Sequence, residues 1–279
     1  MKFSMTRLAV AAGVSVAATA ASFSSPSFYQ PKGMVVEAPR AADQDQQCDR
    51  RNFRVVIDVG HSEASPGALS ARGVSEYRFN SMLAQAVAET LRRDGFLAVT
   101  VVSNQGAGKA DLATRNARAN SARPQAFLSL HHDSVQKQYL QTWTTEFGIE
   151  QSFSDKFSGY SIFVSNKNAF PQESVVLAEF LGEELVKRGL SSTKHHAEKI
   201  PGEGRPWVNE AMGIYRMDNL VVLRGTKAPA ALLEAGVIVN RAEELQLASS
   251  RRRALVAEAI SGALVKFCAA QAPSTSARR

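Results

Sequence analysis

Short apolar runs alternate with longer amphipathic segments along most of this 279-residue chain. The apolar runs have the length of buried strands, and the amphipathic segments repeat apolar residues at spacings of three and four, as helices do. This alternation predicts an α/β fold, a single layered domain with a mostly parallel twisted sheet and helices on both faces. Strands are predicted at residues 54–59, 98–103, 126–131, 160–165, 220–223 and 231–234, and helices at 75–94, 111–121, 171–188 and 241–267.

The two ends of the chain differ in composition from the predicted domain. Residues 1–20 contain Lys2 and Arg7, no acid, an apolar run and a small-residue cleavage pattern. They predict a cleaved secretory signal peptide, because the run is short for a membrane anchor, the alternative. Residues 21–47, rich in Ser, Pro and Gln, predict a linker, and residues 272–279 predict a flexible tail. The domain is expected over residues 48–271, in an exported protein, periplasmic or secreted, without a transmembrane segment.

The cysteine content and the charge are consistent with export. Cys48 and Cys268 bracket the predicted domain. In an exported chain an even number of cysteines favours a disulfide, with two free thiols as the alternative. The net charge of +7 falls to +5 when the first twenty residues, with two basic residues and no acid, are removed. A basic exported protein fits an anionic surface such as cell-wall polysaccharide, whereas the scattered basic residues argue against nucleic acid as a partner.

Four polar side chains are placed where predicted strands end. His61, His131 and Glu234 each close an apolar run, and Glu76 opens the helix that follows the first strand. In open α/β sheets, ligands bind beyond the carboxyl ends of the strands. Two histidines and a carboxylate with one free position make a catalytic zinc set, and a further carboxylate can act as general base. Hydrogen-bonded histidines and a helix-dipole glutamate remain the structural alternatives.

Five motifs occur along the chain in the order VVIDVGHSEASPGA, GVSEYRFN, LATRNARAN, FLSLHHDS and PAALLEAGVIVNRAEE. In this order the chain resembles the zinc-dependent N-acetylmuramoyl-L-alanine amidases, the cell-wall amidases of the bacterial cell-separation type, over about residues 54–267. The resemblance implies that His61, Glu76 and His131 bind Zn²⁺ and that Glu234 is catalytic. It also implies a substrate, the amide between N-acetylmuramic acid and L-alanine in peptidoglycan.

The chain departs from this family pattern close to two of the implied zinc ligands. Ser62 stands where the family often has glycine, and Asp133 stands where it often has asparagine. His132 directly follows His131. Because consecutive strand residues face opposite sides of a sheet, only one of these histidines should face the metal, and the motif favours His131.

Three further residues are candidates for roles around the site. Asp58 is interpreted either as a hydrogen-bond partner that orients a zinc histidine or as a turn or cap residue. Arg115 and Asn120 lie in LATRNARAN and match the family pattern. They are interpreted mainly as structural residues that pack and cap a helix against the edge of the site.

A histidine pair lies in the loop KHHAEKIPGEGRPW, which is rich in glycine and proline. His195 and His196 are expected to be exposed there. A position at the rim of a substrate groove, together with Trp207, is the alternative.

The segment from Gln136 to Ser158 is longer than a tight connection. Its apolar residues fall at helical spacing, at Tyr139, Leu140, Trp143 and Phe147. This spacing predicts a short helix beside the zinc edge. The hypothesis is that the segment restricts access and is moved by a protein activator or by substrate, with an ordinary packed surface excursion as the alternative.

Two other functions remain open from the sequence. One is a different zinc peptidase or deacylase on the same fold, which would cut a different bond. The other is an inactive cell-wall-binding regulatory protein. The presence of His61, Glu76, His131 and Glu234 favours an enzyme.

Overall fold

The computed structural model describes residues 48–271, so the predicted signal peptide, linker and tail lie outside the described residues. The strands are β1 (Val55–Ser62), β2 (Val99–Asn104), β3 (Ala126–Asp133), β4 (Gln141–Thr144), β5 (Glu150–Phe153), β6 (Ser161–Val164), β7 (Trp207–Asn209), β8 (Ile214–Arg216) and β9 (Ala230–Val237). The helices are α1 (Glu76–Arg93), α2 (Gly108–Ser121), α3 (Pro171–Lys187), α4 (Val221–Gly225), α5 (Arg241–Ala248) and α6 (Ser250–Gln271).

A seven-stranded sheet with the order β2-β1-β3-β9-β6-β8-β7 forms the centre of the fold. The strands β2, β1, β3 and β9 are mutually parallel, whereas β6 pairs antiparallel with β9. The register places His131 of β3 opposite Glu234 of β9. The expected mostly parallel α/β domain is therefore confirmed, and its parallel half carries the carboxyl edge where the candidate residues lie.

Helices cover both faces of the sheet, as the sequence pattern predicts. Along β1, Val55 and Ile57 face a large core that contains apolar residues of α1, α3 and α6. The intervening Val56 faces a second core, to which α2 and α4 contribute. A strand buried on both faces reads as a continuous apolar run, which is why β1 shows no polar alternation until Asp58.

A disulfide joins Cys48 to Cys268, with their Cα atoms 5.2 Å apart, so the predicted bridge is present. Cys268 lies in α6, which by length and composition alone could cross a membrane, contrary to the expectation that only residues 1–20 are apolar enough. Half of this apolar window is buried in the fold. Its inward residues, among them Ile260 and Leu264, belong to the core.

Two predicted elements in the second half of the chain are wrong in type or extent. Residues 220–223, predicted as a strand, begin the short helix α4, because a run of four apolar residues has no period that separates the two structures. Side-chain amides of Asn116 and Asn120 donate to carbonyls of this helix. The predicted helix 241–267 is two helices that break at Ser249, whose hydroxyl accepts from the backbone N–H of Arg252 and so caps α6.

The segment from Gln136 to Ser158 is not the predicted helix. It contains one 3₁₀ turn at Lys137–Tyr139 and then the β4–β5 hairpin. Gly148 has a φ of 76°, a left-handed conformation that a glycine adopts without strain and that a helix interior excludes. The hairpin packs on the loop before α1, where Trp143 Nε1 donates to the Ala71 carbonyl at 2.8 Å and Arg72 pairs with Glu146 at 2.8 Å.

Candidate active site

Three ligand-type side chains converge at the carboxyl edge of the sheet. The Glu76 carboxylate lies between two imidazoles, with Oε2 3.0 Å from His61 Nε2 and Oε1 2.9 Å from His131 Nδ1. Each residue offers one ligand atom within 4.8 Å of the others. His61 closes β1, Glu76 is the first residue of α1 and His131 lies near the end of β3, so three elements supply one ligand each.

The backbone around this cluster leaves no room for additional side chains. His61 itself has a φ of 65°, a left-handed conformation that is uncommon outside glycine and that concentrates at functional sites. A Cβ on Gly67 would lie 2.8 Å from His61 Cδ2 and would collide with the Glu76 carboxylate. A Cβ on Gly60 would lie 2.5 Å from His131 Nε2. The glycines that frame His61 thus allow the three ligands to approach.

Local contacts fix the Glu76 carboxylate in its charged form. Asn80, one helical turn further along α1, donates to Oε1 at 3.2 Å, and the Ala68 backbone N–H donates to Oε2 at 3.3 Å. Burial alone would raise the pKa of Glu76, but hydrogen bonds from His131 and His61 hold it well below its usual range. The cluster is therefore an anionic carboxylate with two imidazoles.

His132 faces away from this cluster. It is buried on the opposite face of β3, where its Nδ1 donates to Asn80 Oδ1 at 2.8 Å and its ring packs near Phe79. Burial lowers the pKa of His132 to about 3, so the imidazole is neutral. His131 and His132 thus face opposite sides of β3, as the alternation of strand residues predicts from the sequence.

Glu234 lies beside the cluster on the neighbouring strand. It shares the sheet face of His131, its register partner. Its Oε2 atom is buried without a hydrogen-bond partner among residues 48–271. Burial raises the pKa of Glu234 well above its usual value, and the negative charges of Asp133 and Glu76 add to this effect. A carboxylate in such a position suits proton transfer, because its affinity for a proton is high.

The remaining sequence candidates form a buried support under the site. Asp58 is fully buried, and its carboxylate pairs with the Arg115 guanidinium through two hydrogen bonds and accepts a third from Ser129 at 2.6 Å. These contacts connect β1 to α2 and β3, rather than Asp58 to a ligand histidine. Asn120 donates to the Gly225 carbonyl at 3.0 Å and accepts from the Lys227 backbone at 2.8 Å, so it holds the end of α4.

A second cluster, formed by Asp133, His195 and His196, does not match the exposed loop histidines that the sequence predicts. His195 and His196 are both buried, and their Nε2 atoms lie 3.2 Å and 2.7 Å from Asp133 Oδ2. His196 also contacts Glu203 through Nδ1 at 3.0 Å. The adjacent histidines are the sequence signal for this cluster, but the glycine and proline residues around them predict a surface loop instead.

Two adjoining cavities open beside these clusters. One, of about 280 Å³, is lined by His61, His131 and Arg115. The other, of about 290 Å³, is lined by Asp133, His196 and Glu234 among others. Leu220 and Leu232 line both cavities, so the two lie side by side, and together they are called the groove below.

The three converging ligands of the first cluster fit a zinc ion. Tetrahedral coordination at about 2.0–2.1 Å puts ligand atoms roughly 3.3 Å apart, close to the 2.9 and 3.0 Å separations found here. Two imidazoles with one carboxylate is a donor set of catalytic zinc sites. The half-buried His61 side chain and the cavity beside it leave a position open to solvent.

Comparisons with known proteins point to one family. A family model described as N-acetylmuramoyl-L-alanine amidase matches residues 55–266. A Buchnera aphidicola protein named for this amidase activity is 22% identical over 224 residues, which cover 75% of this chain and 92% of the relative.

Solved structures share the fold at low identity. The N-acetylmuramyl-L-alanine amidase Ami1 of Mycobacterium smegmatis is 20% identical, with a TM-score of 0.59 over 79% of this chain and 98% of that chain. The CwlD amidase of Clostridioides difficile, solved in complex with the GerS lipoprotein, is 19% identical, with a TM-score of 0.56 over 77% of this chain and 98% of that chain.

Proposed function

The chain belongs to the N-acetylmuramoyl-L-alanine amidase family, and we propose that it hydrolyses the bond between N-acetylmuramic acid and L-alanine in peptidoglycan as a zinc enzyme. The zinc ligands in this proposal are His61, Glu76 and His131. The observation that carries it is the convergence of their ligand atoms on one point at the edge of a cavity. The bound ion would supply a Lewis acid that polarises the amide carbonyl and lowers the pKa of a water.

Glu234 is the proposed proton carrier. Glu234 lines the second cavity, has its Oε2 atom buried and lies opposite His131 in the sheet. It takes a proton from the attacking water and donates it to the leaving L-alanine nitrogen. The raised pKa of Glu234 favours the protonated carboxyl group. Once Glu234 has taken the proton, it therefore keeps it until the leaving nitrogen accepts it.

The proposed place of action is outside the cytoplasm, in the periplasm or the medium. The signal-peptide pattern of residues 1–20 and the linker pattern of residues 21–47 support this proposal from the sequence. The disulfide between Cys48 and Cys268 supports it independently, because such bonds persist in oxidising compartments. Residues 48–271 would then be the catalytic domain.

A protein activator acting through the β4–β5 hairpin is also part of the proposal. Of the segment from Gln136 to Ser158, only Gln136 among the described residues lines either cavity, so the hairpin does not roof the groove. Instead its Trp143 holds the loop that leads to Glu76. Its tip exposes Phe147 and Ile149, a suitable contact for a partner.

The test of the proposed function is digestion of purified peptidoglycan by residues 21–279, followed by labelling of new amino termini. New N-terminal alanine is expected, its release stopped by a chelator and restored by zinc. Glu234→Gln should lower the rate by about 10²–10⁴-fold without loss of metal. Glu183→Gln, at an exposed ion pair on α3, is the matched control and should leave the rate unchanged.

Each alternative function gives a different result in this assay. A new terminus other than alanine would identify a different zinc peptidase or deacylase. Binding to the wall with neither cleavage nor bound metal would identify an inactive wall-binding protein, whereas no cleavage with metal bound would indicate a missing activator. Cleavage that persists in the chelated enzyme would contradict the role of zinc.

A further inference from the structure

Asp133, His195 and His196 make a second ligand set on the same sheet face as the first. Asp133 follows His131 by two residues in β3, a rise of roughly 6.6 Å along a regular strand, and residues two apart share a face. Each member of the second set offers one ligand atom within 4.8 Å of the others, as in the first set. No residue is shared between the two sets, so the second is not a bridge of the first.

The side chains of this set are oriented towards one point by contacts at their other ends. His195 Nδ1 is hydrogen bonded to Thr193 Oγ1 at 2.9 Å, and His196 Nδ1 to Glu203 Oε2 at 3.0 Å. Asp133 Oδ1 accepts from the Ser134 backbone at 2.8 Å, which turns Oδ2 towards the two Nε2 atoms. Imidazoles held through one nitrogen while the other faces a common centre are characteristic of metal sites.

A shared proton does not give every polar atom of this cluster a hydrogen-bond partner. Burial would lower the pKa of His196, but Asp133 and Glu203 raise it to about 9, so a proton can connect His196 to both carboxylates. His195 Nε2 remains buried without a properly oriented hydrogen bond in the described part of the chain, although it lies 3.2 Å from Asp133 Oδ2. A metal ion at the centre would engage both imidazoles and the carboxylate oxygen together.

We propose that Asp133, His195 and His196 bind a second divalent transition-metal ion, distinct from the ion at His61, Glu76 and His131. Two imidazoles and one carboxylate suit zinc, and the separations of 2.7 and 3.2 Å are somewhat shorter than the roughly 3.3 Å between tetrahedral zinc ligands. The cavity of about 290 Å³ beside Asp133 and His196 gives the ion an entry path and an open ligand position. Glu234 lines the same cavity, so the second ion would offset the negative charge that Asp133 places near Glu234.

The experiment is a zinc count on the full chain. Protein stripped of metal is loaded with zinc chloride, freed of excess zinc and measured by mass spectrometry of the metal, with circular dichroism as the test of folding. The wild type should bind two zinc ions per chain. Asp133→Asn and His195→Gln, tested separately, should each bind one, as should His61→Gln. Glu234→Gln, which removes a neighbouring charge but no ligand, should still bind two.

The outcomes separate this proposal from the proposed function. One zinc in the wild type that is lost in His61→Gln and kept in Asp133→Asn would overturn the second site and leave the first intact. One zinc that is lost in Asp133→Asn and kept in His61→Gln would support the second site and overturn the first. Two zinc ions in folded Asp133→Asn and His195→Gln, or no zinc in the wild type, would overturn the assignment made here.

Discussion

At the scale of single residues, the site depends on which charges are paired and which are not. Asp58 and Arg115 are both buried and satisfy one another, whereas Glu234 keeps a buried oxygen without a hydrogen bond. An opposite charge beside a buried carboxylate favours its charged form, whereas burial without such a partner raises its affinity for a proton. This difference separates the supporting residues from the residue proposed to move a proton.

Loss of one member of the Asp58–Arg115 pair should be costly. Arg115→Met leaves the Asp58 carboxylate buried with Ser129 as its remaining hydrogen-bond donor, and should lower the free energy of unfolding by about 3–5 kcal/mol. Asp58→Asn combined with Arg115→Met should recover part of this loss. Lys194→Met, at an exposed pair with Glu210, is the control and should cost less than about 1 kcal/mol. Urea unfolding measures all three, and a similar small loss for Arg115→Met would contradict the pairing argument.

The positions of several candidate side chains follow from where the strands end. His61, His131 and Glu234 terminate apolar runs, and parallel strands bring their carboxyl ends to one edge. The contact of Asp58 does not follow from strand position, because its partner Arg115 lies 57 residues away on another element. A buried acid in a strand requires a partner, but the sequence does not specify which basic residue pairs with it.

At the scale of elements, the β4–β5 hairpin differs most from its prediction. The apolar residues of its sequence fit a helix by spacing, yet the glycine turn at Gly148 and pairing of Gln141–Thr144 with Glu150–Phe153 make strands. Short amphipathic segments fit both periods, and packing on the loop at Ala71 and Arg72 decides between them.

The hairpin offers a test of the proposed activator. Phe147→Ser with Ile149→Ser changes only exposed tip residues, so amidase activity of the purified protein should be unchanged. Peptidoglycan cleavage in cells that carry this variant as their sole copy should fall several-fold. Trp143→Ala, at the contact with the loop before Glu76, should lower both activities. Equal activity of the tip variant in cells and in purified form would contradict a partner at this surface.

At the scale of the whole domain, a disulfide joins the first described residue, Cys48, to the last helix. The disulfide connects residues 220 positions apart and attaches α6 to the segment before β1. Phe53 and Phe267 pack edge to face beside it, with ring centroids 6.4 Å apart. A cross-link over so long a loop restricts the unfolded chain strongly.

Removal of this cross-link should destabilise the fold without altering the site. Cys48→Ser with Cys268→Ser should lower the free energy of unfolding by about 2–5 kcal/mol, measured by urea unfolding. Amidase activity at 25 °C should be retained, because neither cysteine lines the two cavities of the site. The wild type in reductant should match the variant, and the variant should not respond to reductant. A wild type that is insensitive to reductant would show that the bridge contributes nothing.

The sequence alone determined the α/β class, the parallel strands and the meeting of His61, Glu76, His131 and Glu234, because these follow from local periodicity and from where apolar runs end. Only the tertiary structure decided that His195 and His196 are buried against Asp133. That contact joins positions 63 residues apart in the chain. It depends on how a long loop folds over the sheet and packs His196 against Phe163 and Tyr215, which no local pattern encodes.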